Sequence, residues 1–312
     1  MTYDLTILIP VFNEAESLKE LYGEIVNSVS KLKKTYEVIF VNDGSTDRSQ
    51  VVLEKLQKSN RKTVRIIELR RNFGKAAALD AGFRVSKGKL IITMDSDLQD
   101  DPKEISVFLK KLAEGYDLVS GWKVNRKDSF IKNNTSKIFN YFANRISRVE
   151  LHDYNCGYKA YTKELVDDLV LYGELYRYIP VLAASLGYKV TEVPVNHRVR
   201  KYGITKYGPI RFINGALDLI TVFFLTRFRV RPLHLFGYIS LVFFLVGFLI
   251  SMYLSFRHFA FDESIGNRPL LLLSVMLIII GIQIGVTGLV GEQITTLVNK
   301  DKPMYRIKKR SK

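Results

Sequence analysis

An α/β layer domain with a mainly parallel sheet, followed by a membrane-surface helix and two transmembrane helices, is the fold class this sequence predicts. Three observations predict it. Short apolar runs alternate with amphipathic stretches through the first third of the chain, the signature of βαβ units. One such run, Ile91-Ile92-Thr93-Met94, ends in two carboxylates one residue apart, Asp95 and Asp97. Late in the chain, two uncharged stretches, Leu235 to Phe256 and Leu270 to Gly291, each reach the ~20 residues that a helix needs to cross a hydrocarbon core.

Taken in order, Leu5 to Pro10 reads as a first strand. Asn13 is expected to cap the next helix, with Glu16 as reciprocal partner and Leu18, Leu21, Ile25 and Val29 as the buried stripe. A second strand runs from Tyr36 to Val41 and leads into Asn42-Asp43-Gly44-Ser45. The helix after it turns Val51, Val52, Leu53 and Leu56 inward. Val64 to Leu69 is a third strand, followed by Arg70-Arg71-Asn72-Phe73-Gly74-Lys75 and an Ala-rich helix that stops at Gly88. The central strand then delivers Asp95 and Asp97. Ligands in parallel sheets sit beyond the carboxyl ends of the strands, so these two carboxylates stand where a ligand belongs. They repel one another unless a cation lies beside them, and Mg²⁺ or Mn²⁺ suits such oxygen ligands. Asp101, Pro102 and Glu104 read as an ordinary helix start.

Beyond Gly121 the pattern loosens. Lys123 to Asn134 is a basic loop. Ile138 to Ile146, Lys163 to Leu171 and Ile179 to Leu186 are expected helices, and Tyr188 to Val195 an edge strand ended by Pro194. A basic stretch interleaved with aromatics, 197–208, precedes a mixed-polarity helix suited to a membrane surface. The expected organisation is a domain over 1–208, an amphipathic helix over 209–231, two transmembrane helices within 232–292 and a basic tail over 293–312.

The chain has 312 residues and a net charge of +16, which favours an anionic partner. The basic residues crowd the apolar spans and follow no nucleic-acid-binding motif, so no nucleic acid is expected. Cys156, the one cysteine, excludes an internal disulfide. The N-terminal apolar run is too short for a signal peptide. Arginines at 227, 229 and 231 and the basic tail flank the apolar spans, so the positive-inside rule puts both termini in the cytoplasm.

Four motifs stand in a familiar order: Pro10-x-x-Asn13-Glu14, Val41-Asn42-Asp43-Gly44-Ser45-x-Asp47, Arg71-Asn72-x-Gly74-Lys75 and Asp95-x-Asp97-Leu98-Gln99-Asp100-x-Pro102. Together they resemble the family 2 glycosyltransferases of the GT-A (Rossmann-like) fold, specifically the polyprenyl-phosphate glycosyltransferases: dolichyl-phosphate mannose synthases and bactoprenyl-phosphate glucosyltransferases. The resemblance covers about residues 4–210, and the paired apolar helices match the bactoprenyl branch.

The resemblance implies an inverting hexosyl transfer from a nucleotide sugar (UDP-glucose-like or GDP-mannose-like) to a membrane polyprenyl phosphate such as undecaprenyl phosphate, with Mg²⁺ or Mn²⁺ as cofactor. Pro10, Asn13, Glu14 and Asp43 would hold the nucleotide, with Lys75 on phosphate. Asp95 would lie near the sugar or ribose, and Asp97 would bind the metal with Gln99 nearby. Arg126, Arg198, Arg200 and Lys206 are candidates for the acceptor phosphate, the last within the family's Gly-x-Thr-Lys. Asp153, in His152-Asp153-Tyr154-Asn155-Cys156-Gly157-Tyr158-Lys159, is the candidate base or acceptor-orienting group. Gly157 departs from the family, some of whose members carry an acid there, and Lys159 stands where an arginine is usual.

Plainer roles compete. Asp43 suits a turn, Lys75 an exposed first helical turn, Asp153 a structural cap, and the basic cluster lipid headgroups. Two other functions stay open: a processive polysaccharide synthase, whose Gln-x-x-Arg-Trp this chain lacks, and a non-catalytic nucleotide-binding membrane scaffold. The reading also admits a homo-oligomer.

Overall fold

The computed structural model describes residues 3–124, 150–202, 220–224, 226, 228, 231–262, 264 and 269–299. It divides into two compact units, Met1–Val222 and Phe223–Lys312.

The first unit is built in the order β1 (Tyr3–Val11), α1 (Leu18–Val29), β2 (Tyr36–Asn42), α2 (Ser49–Ser59), β3 (Val64–Glu68), α3 (Lys75–Val85), β4 (Gly88–Thr93), α4 (Ile105–Ala113), β5 (Leu118–Lys123), β6 (Lys159–Thr162), α5 (Lys163–Asp168), α6 (Ile179–Ser185) and β7 (Val190–Val195). Seven strands form one sheet in the order β3-β2-β1-β4-β6-β5-β7. The strands β1 to β4 are parallel, as is the pair β5 and β7, while β6 runs antiparallel to both of its neighbours.

Alternation along each strand divides the core into two layers. Leu5, Ile7, Ile9 and Val11 of β1 face α1 and α4 through Leu21, Ile25, Phe108 and Leu112. Leu8 of β1 points the other way, with Ile39 and Ile91, toward Leu79 and Phe83 of α3 and Leu165 of α5. Burying a side chain of this size contributes about 1.5–3 kcal/mol, so the central strands anchor both layers.

The strand order places the site. β1 lies between β2 and β4, and the chain leaves it in opposite directions toward β3 and toward β6. This reversal opens a crevice at the carboxyl ends of β1 and β4. β1 and β2 end flush, Val11 opposite Asn42, while β4 ends at Thr93 opposite Leu8, three residues short of the end of β1.

Several local expectations are corrected. Asn13 caps no helix: it has a positive φ of 53°, and α1 starts later, at Leu18. Its amide oxygen serves another loop, as described below. On α2 only Leu53 of the expected stripe is fully buried, and Val51 is exposed, because the helix packs by one narrow face. Pro194 does not end the edge strand; it lies within β7 opposite Trp122. An edge position tolerates the missing N–H. β6 was not expected at all, being four residues long and too short to show a period. Asp101 is a helix cap as expected, accepting the Lys103 N–H at 3.0 Å, but Glu104 accepts from Asn196 rather than closing a capping box. The expected helix at 138–146 and most of the expected basic loop lie outside the described residues, as do Arg126 and Lys206. Of the expected membrane-surface helix, residues 220–224 are helical.

The second unit holds α7 (Pro232–Phe261) and α8 (Pro269–Asn299), both long and apolar enough to cross a membrane. They form an antiparallel hairpin with close backbone approach: a Cβ at Gly247 would lie 2.7 Å from the Ser274 carbonyl, and one at Gly281 2.7 Å from the Phe244 nitrogen. Small residues at such crossings are the usual means of packing helices in lipid. Glu292 of α8 accepts the Leu233 N–H at 3.2 Å, satisfying a donor in the first turn of α7. Leu249, Leu272 and Ile279 are exposed, as lipid-facing residues would be.

Candidate active site

The loops after β1, β2 and β4 are knitted together at the crevice. Asn13 donates its N–H to Ser45 Oγ at 3.0 Å and accepts the Thr46 N–H on its side-chain oxygen at 2.8 Å. Its left-handed backbone, which asparagine tolerates, turns that side chain toward the second loop. Glu14 is buried, and its N–H donates to Ser49 Oγ. Ser17 Oγ donates to the Ser96 carbonyl at 2.6 Å, tying the first loop to the acidic turn. Pro10 lies within β1 opposite Val41, one residue before the loop begins to turn.

Asp43 organises the neighbouring loop. Its two carboxylate oxygens accept the N–H groups of Phe73 and Gly74 at 2.8 and 2.9 Å, fixing the loop that leads to Lys75. Gly44, with φ of 66°, lets that loop lie directly on the β2 end, since a Cβ there would come within 2.3 Å of the Arg71 backbone.

Each of the paired carboxylates meets a basic side chain. Asp95 is paired with Lys75, whose ammonium also lies 5.5 Å from the centre of the Tyr176 ring. Asp97 Oδ2 accepts from Arg200 at 2.6 Å, and its Oδ1 accepts the Gln99 N–H at 3.2 Å. Arg200 also approaches Glu14, at 3.7 Å. The Gln99 side-chain amide donates to the Arg198 carbonyl and meets His197 Nε2, which ties it to the strap following β7.

The electrostatics follow from this crowding. Burial alone would push the Asp95 carboxyl up, but Lys75, Lys123 and Lys159 outweigh it and hold Asp95 below the ordinary range. Burial and the neighbouring Asp95 charge push Asp97 up, with Arg200 opposing. Burial lifts Asp100 to about 6, despite Lys123. Asp100 Oδ2 accepts the Asp95 N–H at 3.0 Å, so it supports the turn from beneath.

Asp153 is buried, and its Oδ1 accepts the Asn155 N–H at 2.9 Å, a local turn of the kind expected of a cap. Lys159 lies in β6 with its ammonium on the Tyr154 and Cys156 carbonyls, and burial lowers it to about 8. Cys156 is fully buried and burial lifts its thiol to about 12, which leaves it without thiolate chemistry.

Comparisons with known proteins give the family. The glycosyl transferase family 2 profile matches residues 6–170, and the GtrB C-terminal hairpin profile matches 231–297. A dodecaprenyl-phosphate galacturonate synthase of Rhizobium johnstonii is 37% identical over 96% of this chain and 89% of its own length. The chain is a family 2 glycosyltransferase.

An undecaprenyl-phosphate 4-deoxy-4-formamido-L-arabinose transferase of Proteus mirabilis is 33% identical to this glycosyltransferase, over 98% of this chain and 93% of its own. Among solved structures, a glucosyl-3-phosphoglycerate synthase from Mycobacterium tuberculosis, in complex with Mn²⁺, UDP and phosphoglyceric acid, shares the fold of the glycosyltransferase. Its TM-score is 0.54 at 16% identity, over 71% of this chain and 78% of that one.

Some members of the site carry no signal in the sequence. Lys123, half-buried at the end of β5, is held as a cation: burial pulls it down, and neighbours that include the Asp100, Asp95 and Asp153 carboxylates outweigh that pull. Tyr176, between Lys75 and Arg177, belongs to no motif. Lys123 reaches the crevice through the sheet order and Tyr176 through the packing of the 3-10 turn Leu175–Tyr178, which adjacency in the chain does not reveal.

Proposed function

We propose that this glycosyltransferase moves a single sugar from a nucleotide-sugar donor to a membrane polyprenyl phosphate, in a metal-dependent reaction that inverts the anomeric carbon. The observation that carries the reading is the near end-to-end likeness, apolar hairpin included, to relatives named for polyprenyl-phosphate sugar synthesis or transfer.

The residues present fit a divalent cation. Asp95 and Asp97 offer two hard oxygen donors on one turn, both now facing protein cations. Among the described residues no group of three or more His, Cys, Asp or Glu stands ready to hold a metal. The remaining ligands would then be substrate phosphate and water, the arrangement Mg²⁺ favours. Solved structures of the same fold that contain Mn²⁺ or Mg²⁺ support this choice. Bound there, the ion would act as a Lewis acid, offsetting the charge that gathers on the departing diphosphate.

The chain's own residues would do the rest. Pro10, Asn13, Glu14 and the loop held by Asp43 frame the nucleotide. Lys75 places its charge at Asp95, where sugar and phosphate would meet, and Gln99 braces the turn. Arg200, with Arg126 and Lys206, offers cations to the acceptor phosphate. A phosphomonoester is mostly dianionic at pH 7, its second pKa being about 6. The acceptor therefore needs positioning more than deprotonation, and Asp153 would orient it. One displacement, with no second carboxylate nucleophile, inverts the anomer. The domain limits follow: a cytoplasmic catalytic domain over 1–208, an amphipathic helix over 209–231, two transmembrane helices within 232–292 and a cytoplasmic basic tail, making a two-pass protein with both termini inside.

The test incubates detergent-purified protein with Mn²⁺, undecaprenyl phosphate and a panel of radiolabelled nucleotide hexoses, uronates and aminopentoses. Label is expected to enter the organic phase for one donor. Asp97→Ala is expected to lower that transfer by about a hundredfold or more, the scale of a lost metal contribution of several kcal/mol. Full activity in that variant would remove the metal assignment, and no labelled lipid from any donor would remove the acceptor.

A further inference from the structure

The strap that follows β7 crosses the acidic turn as a ladder of charged contacts. Asn196 N–H donates to Glu104 Oε1 at 2.8 Å, and Arg200 holds Asp97. Lys201 reaches Glu20 of α1 at 2.8 Å. At the centre is Arg198. Its Nη1 lies 2.7 Å from Glu24 of α1, and its Nη2 lies 2.7 Å from Asp101, the cap of the helix after the acidic turn. Its backbone is stitched to the same turn: the N–H donates to the Gln99 carbonyl at 2.9 Å, and the carbonyl accepts from the Gln99 side chain at 3.3 Å. His197 and Asp100 form an isolated antiparallel bridge beside it.

We propose that Arg198 is a positioning residue: it clamps the 196–201 strap to α1 and to the acidic turn, so that Arg200 meets Asp97, and it contacts no ligand itself. Two carboxylates already offset its single charge, which leaves this guanidinium little net attraction for a phosphate. The planar fork matters here, because two of its nitrogens serve partners on two different elements. A lysine would keep the charge but, as a point donor, could not bridge both. The Arg198 side chain is 28% exposed and the carboxylates of Glu24 and Asp101 are 33% and 15% exposed, so solvent screens the clamp only in part. Its consequence for catalysis rests on the metal and donor reading of Asp97; the clamp itself does not.

The experiment compares Arg198→Lys and Glu24→Gln with the parent, each as the full chain in detergent. Hydrogen exchange of the 196–202 segment, without ligand, is expected to quicken about five- to tenfold in both variants, as local opening becomes easier. Steady-state kinetics are expected to show donor and acceptor KM both raised about threefold or more in both variants, since Arg200 rides on the strap, with kcat within about twofold. An acceptor-binding arginine behaves otherwise. Lysine would largely preserve acceptor KM, Arg198→Ala would raise it, and Glu24→Gln would leave strap exchange unaltered. Unchanged exchange in both conservative variants, or an acceptor KM raised by Arg198→Ala and restored by lysine, overturns the proposal. If the parent transfers no sugar, the exchange measurement still decides the clamp, and the failure belongs to the functional reading.

Discussion

Gly157 shows how one residue sets the charge at the crevice. A Cβ built there would lie 2.7 Å from Asp95 Oδ2 and 2.8 Å from Lys75 Nζ. The glycine at this position therefore leaves room for the Lys75–Asp95 pair. Gly157→Ala is expected to keep the fold, because the atoms it meets are the ends of side chains. It should still reduce transfer by about tenfold, since displacement of a reacting group by about an ångström costs up to two orders of magnitude. Circular dichroism and the transfer assay together check this, and parent-like activity would count against any role for the pair. Asp100 carries a pH dependence. Its folded value of about 6 lies above the ~3.9 of an unfolded aspartate, so the fold binds this proton more tightly than the unfolded chain does. The resulting stabilisation is complete below about pH 4 and is lost as pH rises through about 6. Asp100→Asn keeps an oxygen for the Asp95 N–H and removes the titration. Relative to the parent, its thermal midpoint is expected to rise between about pH 4 and 7 and then level off, a gain of about 2–3 kcal/mol. Parallel midpoint curves for the two proteins would refute this.

Among the elements, the loops and the hairpin show different ways of being specified. Asn13, Asp43 and Asp95 are legible as candidate site residues because each belongs to a short motif at a strand end, and local order carries them there. What each does is less legible. Asp43 reads equally as turn or ligand from its Asn-Asp-Gly neighbours, and only the folded loop puts its oxygens on Phe73 and Gly74. Arg198 reads from its charge as a candidate phosphate binder, and only the fold shows its pairing with Glu24, 174 positions away. In the hairpin, Gly247 of α7 lies against the α8 backbone at Ser274 and Ile278. Gly247→Leu is expected to force the helices apart, lowering stability by about 1–3 kcal/mol. The check is the thermal midpoint in detergent, together with retention in the membrane fraction; an unshifted midpoint would show that the close approach adds little.

At the scale of the whole chain, the proposed function joins a water-soluble donor to a lipid-borne acceptor, and the charge of the sequence is distributed in keeping with it. With arginines before α7 and a basic tail after α8, both ends of the hairpin are expected on the cytoplasmic side. Fusions to the C-terminus test this: green fluorescent protein should fluoresce and alkaline phosphatase should stay inactive, and the reverse result would invert the topology. By itself the sequence determined the α/β class, the four strand-end motifs, the family and the two apolar spans. Those features depend on local periodicity and on residues close together in the chain, which tertiary context has little power to alter. Only the tertiary structure decided that β6 enters the sheet antiparallel, that Lys123 and Tyr176 reach the crevice, and that Arg198 and Arg200 lie across the acidic turn. Each of these is a contact between distant segments, fixed by the burial of both faces of one sheet, and no stretch of the chain contains enough of its own partners to reveal it.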